Sequence, residues 1–214
     1  MDFAKARVEM IEGQILGRGL RDPAVLAAMA AVPREAFVPP DLADNAYEDC
    51  ALPIAEGQTI SQPYIVAAML AAARLVAGDR VLEVGAGSGY AAAVISRIAA
   101  QVYGIERNDT LTRTATARLQ ALGYANIELA TGDGSGGSPA AAPFDAIIVS
   151  AGGPRIPEAL KRQLADGGRL VMPVGPPGDQ RLLRLVRHGD EFDQDDLGGV
   201  RFVALIGEEG WQDA

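Results

Sequence analysis

The sequence predicts an α/β; doubly wound fold, a mostly parallel sheet of about seven strands with an N-terminal helical cap. Three observations predict it. Arg80–Tyr90 reads R-V-L-E-V-G-A-G-S-G-Y, with Val81, Leu82 and Val84 as an apolar run of the kind buried on both faces. Glycines follow at alternate positions, Gly85, Gly87 and Gly89, and then an Ala-rich helical stretch, Ala91–Ala100. Further short apolar runs recur at Val102–Ile105, Ile127–Ala130 and Ala146–Val149, the spacing of strands joined by helical crossovers.

The elements follow in order. Phe3–Leu16 carries Phe3, Met10, Ile11 and Ile15 near helical spacing, an amphipathic helix that Gly17-Arg18-Gly19 ends. Asp22-Pro23 has the N-cap and first-turn signature of a second helix, which Pro33 stops. Pro39-Pro40 marks a surface turn, and Asp41–Tyr47 reads as one short helical turn. Ile65–Leu75 is a strong helix. Residues 1–76 are thus expected as a cap, packed in one structural unit with a core at 77–214, and caps of this kind supply substrate contacts. Beyond the glycine loop, Pro157–Leu164 reads as a helix ended by Asp166-Gly167-Gly168, and Arg169–Val174 as the fifth strand. Leu182–Val186 and Val200–Ile206 read as two last antiparallel strands, with the acidic run Asp190–Asp196 as the solvated loop between them.

Composition excludes several classes. At 214 residues, 49% hydrophobic and 22% charged, the chain is globular and can bury a substantial core. A net charge of −9 repels phosphate backbones and anionic membranes, so neither nucleic acid nor membrane is expected as a partner. The charged N-terminus lacks the apolar core of a signal peptide, and no stretch is long enough to span a bilayer, which predicts a soluble cytoplasmic protein. A monomer is expected. The single cysteine, Cys50, excludes an internal disulfide and a cysteine metal cluster; it reads as a small buried residue, with a reactive thiol as the alternative. His188, the only histidine, reads as a surface residue, which argues against a histidine-based triad and leaves no metal site. Trp211 is expected to fold back over the cap.

The glycine loop spells G-x-G-x-G, not the dinucleotide fingerprint G-x-G-x-x-G, and Glu83 stands two residues before Gly85. A carboxylate there repels a pyrophosphate and suits a cationic or hydrogen-donating ligand. Glu106 closes the second strand twenty-one residues after Gly85, placed to accept from both ribose hydroxyls. Together these features favour S-adenosylmethionine over NAD. Asp133 follows the run Ile127–Ala130, in a loop where a carboxylate can accept from an exocyclic amine, although Asp-Gly is also an ordinary turn. The segment Tyr47–Tyr64 is polar and aperiodic and leads into the Ile65 helix. Ser61 or Thr59 either caps that helix, with Pro63 in its first turn, or lines a site at its N-terminus. The two roles are compatible.

Several stretches carry a resemblance. V-P-R-E-A-F-V-P at Val32–Pro39, A-Y-E-D at Ala46–Asp49 and G-Q-T-I-S-Q-P-Y at Gly57–Tyr64 resemble the protein-L-isoaspartate O-methyltransferases. So do Val81–Tyr90, G-D-G at Gly132–Gly134, G-G-R-L-V-M-P-V-G at Gly167–Gly175 and the tail V-A-L-I-G-E-E-G-W; the match runs from about Arg7 to Trp211. The resemblance implies a Rossmann-like methyltransferase sheet that uses S-adenosyl-L-methionine. It implies Ser61 as the active-site serine, with Thr59, Ile60, Ser61 and Gln62 against the substrate. Glu83, Gly85, Ala86, Gly87, Ser88 and Gly89 would hold the methionine part of the cofactor, Glu106 with Arg107 the ribose, and Asp133 with Gly134 the adenine. The chain departs from the family at Ser135-Gly136-Gly137, where aromatic residues are usual, at S-A-G-G-P (Ser150–Pro154) in place of T-A-A-A-P, and at Ala204 where a proline is common.

The implied substrate is the free α-carboxylate of an L-isoaspartyl residue in damaged proteins and peptides. A carboxylate is already ionised at neutral pH, so methyl ester formation needs alignment and exclusion of water, not a strong base. Ser61 then acts as a positioning hydrogen-bond donor, not a nucleophile. The ester would cyclise to a succinimide and start repair. Two alternatives stay open: a methyltransferase of the same fold acting on a small molecule or a dedicated peptide aspartate, and a non-catalytic nucleotide-binding module.

Overall fold

The computed structural model describes residues 1–212. The chain opens with α1 (Phe3–Met10), where Asp2 accepts from the Lys5 N–H at 3.1 Å. A π-helical turn, Ile11–Ile15, and a 3-10 turn, Leu16–Arg18, extend the rod to Gly19 at φ 85°. The expected first helix is therefore continuous but changes its winding, and its widened part carries Gln14, which donates to the Tyr47 carbonyl at 2.7 Å. Asp22 caps α2 (Pro23–Ala31) by accepting from the Ala24 and Val25 N–H groups, as the Asp-Pro pair predicts. Arg34 is fully buried: its Nε donates to the Ala46 carbonyl at 2.6 Å and its guanidinium lies 4.8 Å from the Tyr90 ring centroid. That contact ties the cap to the first residue after the glycine loop.

A small hairpin follows, β1 (Leu52–Pro53) against β2 (Thr59–Ile60), and leads into α3 (Pro63–Ala73). Then come β3 (Arg80–Val84), α4 (Tyr90–Ser96), β4 (Gln101–Glu106), α5 (Asp109–Ala121) and β5 (Ile127–Thr131). The second half is β6 (Phe144–Val149), α6 (Glu158–Arg162), β7 (Leu164–Val174), β8 (Gln180–His188) and β9 (Glu191–Val200). The seven-stranded sheet runs β5-β4-β3-β6-β7-β8-β9. Neighbours from β5 through β7 are parallel, and the last two pairings are antiparallel. Chain order reverses between β3 and β6, which opens a crevice at their carboxyl ends.

Alternation along each strand splits the core into two layers. Val81, Val102, Ala146 and Ile148 face the cap, packing with Met10, Ile15, Met29 and Phe37. Leu82, Val84, Ile147 and Val149 face the other side, with Ile156, Leu160 and Leu205. Cap and sheet thus share one continuous apolar layer. Among the described residues no helix is long and apolar enough to cross a membrane.

Several expectations are corrected. The acidic run Asp190–Asp196 is not a loop: most of it forms β9 at the sheet edge. Its carboxylates pair across the ladder, Asp196 with Arg181 and Asp195 with Arg184, while Asp193 meets the His188 ring at 3.1 Å, and the two arginine ion pairs make an acidic segment a workable edge strand. Of Val200–Ile206, read as a strand, Val200 ends β9 opposite Gln180, and residues 201–206 instead leave the sheet and cross the strand ends, held to Gly152 by a bridge at Ala204. Asp166–Gly168 is an irregular part of β7, not a helix stop. α4 ends at Ser96 because Asn126 Nδ2 bonds the carbonyls of Ser96, Ala99 and Ala100 and closes the turn. Cys50 is exposed, not buried. Trp211 does not fold over the cap; its Nε1 donates to the Gly152 carbonyl at 3.0 Å, and its backbone N–H to Leu205.

Candidate active site

The glycine loop turns back across β4. The Gly85 and Ala86 N–H groups both donate to the Ile105 carbonyl, at 2.8 and 3.2 Å. Gly85, Gly87 and Gly89 all have positive φ, at 83°, 52° and 85°, so the turn itself demands residues without a Cβ. They serve different ends. Gly85 and Gly87 line a cleft of about 540 Å³ above β3 and β4. A Cβ on Gly89 would instead lie 3.2 Å from Leu119 and 3.3 Å from Ala115, so that glycine lets α5 pack close.

Glu106 ends β4 on the floor of this cleft. Its Oε2 accepts from the Gly87 N–H and its Oε1 from the Asn108 N–H, each at 2.9 Å. Each oxygen keeps a lone pair for a ligand, the arrangement a pair of ribose hydroxyls requires. Glu83 lies beneath the loop, 1% exposed, and its Oε2 has no hydrogen-bond partner. Burial, and after it the neighbouring Glu106 carboxylate, push its pKa up to about 8, against a weaker opposing bond from the Ala92 N–H. Cleft volume, bare glycines and a carboxylate with spare lone pairs fit a ligand bearing a ribose. Glu83, expected against the cofactor, lines neither cleft: it is buried behind the loop.

A second cleft of about 780 Å³ adjoins the first, lined among others by Ser61, Gln62, Ile65 and Gln180. The two share Thr59, Ser150 and Val203, residues from three separate segments. Ser61 does not cap α3. The N-cap is Gln62, without a side-chain bond to the helix, and no described residue bonds the Ser61 hydroxyl. Thr59 does not cap it either, being paired in β2. Gln62 is anchored by its Nε2, which donates to Asp49 Oδ1 at 2.7 Å and to the Asp49 carbonyl at 3.1 Å.

The remaining expected site residues divide. Arg107 and Gly134 line the first cleft. Ala86 and Ser88 are buried, and the Ser88 hydroxyl accepts from the Tyr90 N–H at 3.3 Å; both shape the loop from behind. The Ile60 side chain belongs to the core. Asp133 is engaged by protein donors, the Ser135 hydroxyl and N–H at 2.7 and 2.8 Å and the Glu208 N–H at 2.8 Å. Burial alone would raise its pKa, but these bonds outweigh it and the pKa is lowered. The Ser135 hydroxyl also accepts from the Glu209 N–H at 3.1 Å. The altered loop is thereby docked to the C-terminal tail.

Sequence reasoning missed Asn108, Ser150 and the segment Val203–Ile206, all of which line the first cleft. Asn108 was findable: Asn-Asp-Thr before an amphipathic run is a cap signal, and its Oδ1 accepts from the Thr110 and Leu111 N–H groups. The strap 203–206 carried no such signal, because its apolar residues read as a strand.

The family model for protein-L-isoaspartate(D-aspartate) O-methyltransferase matches residues 5–210. A protein-L-isoaspartate O-methyltransferase of Methylorubrum extorquens (strain PA1) is 61% identical over 213 residues, 99% of this chain and 93% of the relative. That of Brucella anthropi is 53% identical over 214 residues, covering 99% of this chain and 98% of the relative. A solved protein-L-isoaspartate O-methyltransferase superposes with a TM-score of 0.84 at 28% identity, over 96% of this chain and 66% of the other. One from Plasmodium falciparum, described as putative and in complex with S-adenosyl-L-homocysteine, gives 0.81 at 25% identity, over 96% and 99% of the two chains. A family model matching residues 5–210 and relatives 53–61% identical over nearly the whole chain show it: the chain belongs to the protein-L-isoaspartate O-methyltransferase family.

Proposed function

We propose that the first cleft binds S-adenosyl-L-methionine and that the second seats the free α-carboxylate of an L-isoaspartyl residue in a protein or peptide. The enzyme methylates that carboxylate, and the ester then cyclises to a succinimide. One observation carries the reading: the two clefts meet at Thr59, Ser150 and Val203, so a ligand in each brings its reacting end to the same opening. When bound, the cofactor supplies an electrophilic methyl group on a sulfonium.

The chain's own residues bind and orient. Glu106 accepts from the ribose, Gly85 and Gly87 let the ligand approach the backbone, and Arg107 and Gly134 wall the cleft. Glu83, Ala86, Ser88 and Gly89 hold the loop in shape, and Asp133 holds the tail that closes the adenine end. Ser61 and Thr59 offer unbonded hydroxyls to the substrate carboxylate, Gln62 fixes the segment that carries them, and Ile60 anchors it in the core. A carboxylate nucleophile needs no general base, which suits a site built of hydroxyls and backbone amides.

Residues 1–76 act in this reading as a cap over the 77–214 core, supported by the apolar layer the two share. The acidic balance of −9 supports a partner that is neither nucleic acid nor membrane and is compatible with a monomer; a cytoplasmic location completes the reading. The test is methyl transfer to an isoaspartyl peptide and to its aspartyl twin. Turnover of the first and not the second is the expected result, and equal turnover of both, or of neither, overturns it.

A further inference from the structure

Ser150 follows β6 at the point where chain order reverses. Its N–H donates to the Val84 carbonyl at 2.8 Å, and its carbonyl group and Cβ lie 3.6–3.7 Å from where a Cβ on Gly85 would stand. Its place is therefore set by the sheet and the glycine loop. The side chain is half-buried and lines both clefts. No described residue hydrogen-bonds its hydroxyl. A partly buried hydroxyl without a protein partner keeps its donor free for a ligand.

The other two shared residues differ from it. Val203 has no polar side chain, and Thr59 rides on a two-residue strand. Ser61 lines the second cleft only. A carboxylate that accepts a methyl group must stand where the clefts join, with one oxygen towards the methyl carbon and the other held against rotation. As the oxygen–carbon bond forms, the carbon–sulfur bond breaks, its electron pair stays on sulfur, and no proton has to move. A hydroxyl can hold the second oxygen without neutralising the pair, whereas an Arg or Lys would tie up both oxygens and blunt the nucleophile.

We infer that Ser150 is a further positioning residue, its hydroxyl donating to the non-attacking oxygen of the substrate carboxylate alongside Ser61. The inference rests on the occupants proposed above for the two clefts. It gives the serine of S-A-G-G-P a role the loop alone does not require.

The experiment compares wild type, Ser150→Ala, Ser150→Thr and the Ser61→Ala/Ser150→Ala pair on the isoaspartyl peptide, with S-adenosylmethionine affinity read by calorimetry. Ser150→Ala is expected to lower kcat/KM on the order of 10-fold, the size of one bond to a charged group. Cofactor affinity and melting temperature should stay at wild-type values, because the hydroxyl bonds nothing in the protein. Ser150→Thr should restore most of the rate, and the double variant should lose less than the product of the single losses. Wild-type kcat/KM in Ser150→Ala, or equal loss in the alanine and threonine variants, overturns the role. Wild-type turnover with an unimpaired Ser150→Ala removes Ser150 alone, whereas a wild type without isoaspartyl turnover removes both the role and the function it rests on.

Discussion

Asn108 Nδ2 donates to Glu56 Oε2 at 3.0 Å, joining the turn of the small hairpin to the start of α5 across the mouth of the first cleft. Glu56 sits at φ 57°, a left-handed conformation that costs a non-glycine residue about 1–2 kcal/mol. The bond helps to hold that turn in place.

Glu56→Gly therefore removes the tie and the strain together. Stability should stay within about 1 kcal/mol of wild type, while the Kd for S-adenosylmethionine should rise about 2–10-fold, the worth of one hydrogen bond. Thermal melting and calorimetry read the two effects separately. An unchanged Kd would mean that the tie does not close the cleft.

Gly87 and Gly89 make a matched pair. Both have positive φ, so alanine strains either position. At Gly89 the new Cβ also presses on Leu119 and Ala115, and Gly89→Ala should cost about 2–4 kcal/mol of stability. Gly87→Ala meets nothing nearer than Ile54 at 3.6 Å and the Gly85 carbonyl at 3.9 Å, and should cost about 1–2 kcal/mol, with its larger effect on cofactor affinity. Denaturant melts and calorimetry on both variants would expose a reversed order.

Ser61 has no cap to lose. Ser61→Ala and Ser61→Gly should melt with the wild type, whereas loss of a real cap costs about 0.5–2 kcal/mol. Turnover of isoaspartyl peptide should fall on the order of 10–100-fold through misalignment, with cofactor affinity preserved. Full activity in the glycine variant would remove Ser61 from the reaction.

Glu83 makes stability depend on pH. Its folded pKa of about 8 lies above the ordinary value of 4.5, so the native state binds the extra proton between these limits. Wild-type stability is then lost as pH rises through that window. At about 1.4 kcal/mol per unit the whole effect is at most roughly 5 kcal/mol. Glu83→Gln should remove it, so the difference in melting temperature between variant and wild type should grow in the variant's favour from pH 5 to pH 8. A constant difference would show that Glu83 is ionised in the folded protein.

Most of the site could be read from local chemistry. Gly85 to Gly89 need positive φ, and Glu106 closes a strand at a fixed distance from them; both are properties of adjacent residues. Asp22, Pro23 and Pro33 likewise carried their own instructions, and the helix they bound is where they place it. Ser61 was different, since Ser-Gln-Pro before a helix is a plausible cap by every local rule. Only the hairpin pairing of Thr59 with Pro53, together with the Gln62–Asp49 bonds, leaves its hydroxyl free towards the cleft.

What the sequence by itself determined is the half of the fold whose contacts are local or periodic: the parallel strands, the glycine turn and the carboxylate at the end of β4. The tertiary structure decided the rest. The acidic run became β9 because Arg181 and Arg184 on the neighbouring strand supply the countercharge. The strap after Val200 left the sheet, and Gly152, with no Cβ to obstruct the Gln180 amide, receives it. Gln180 in turn bonds both the N–H and the carbonyl of Phe202. These partners lie 11 to 22 residues apart at the sheet edge, and Gly152 and Ala204 about fifty apart, and pairing between them is a property of packed space that no local pattern encodes.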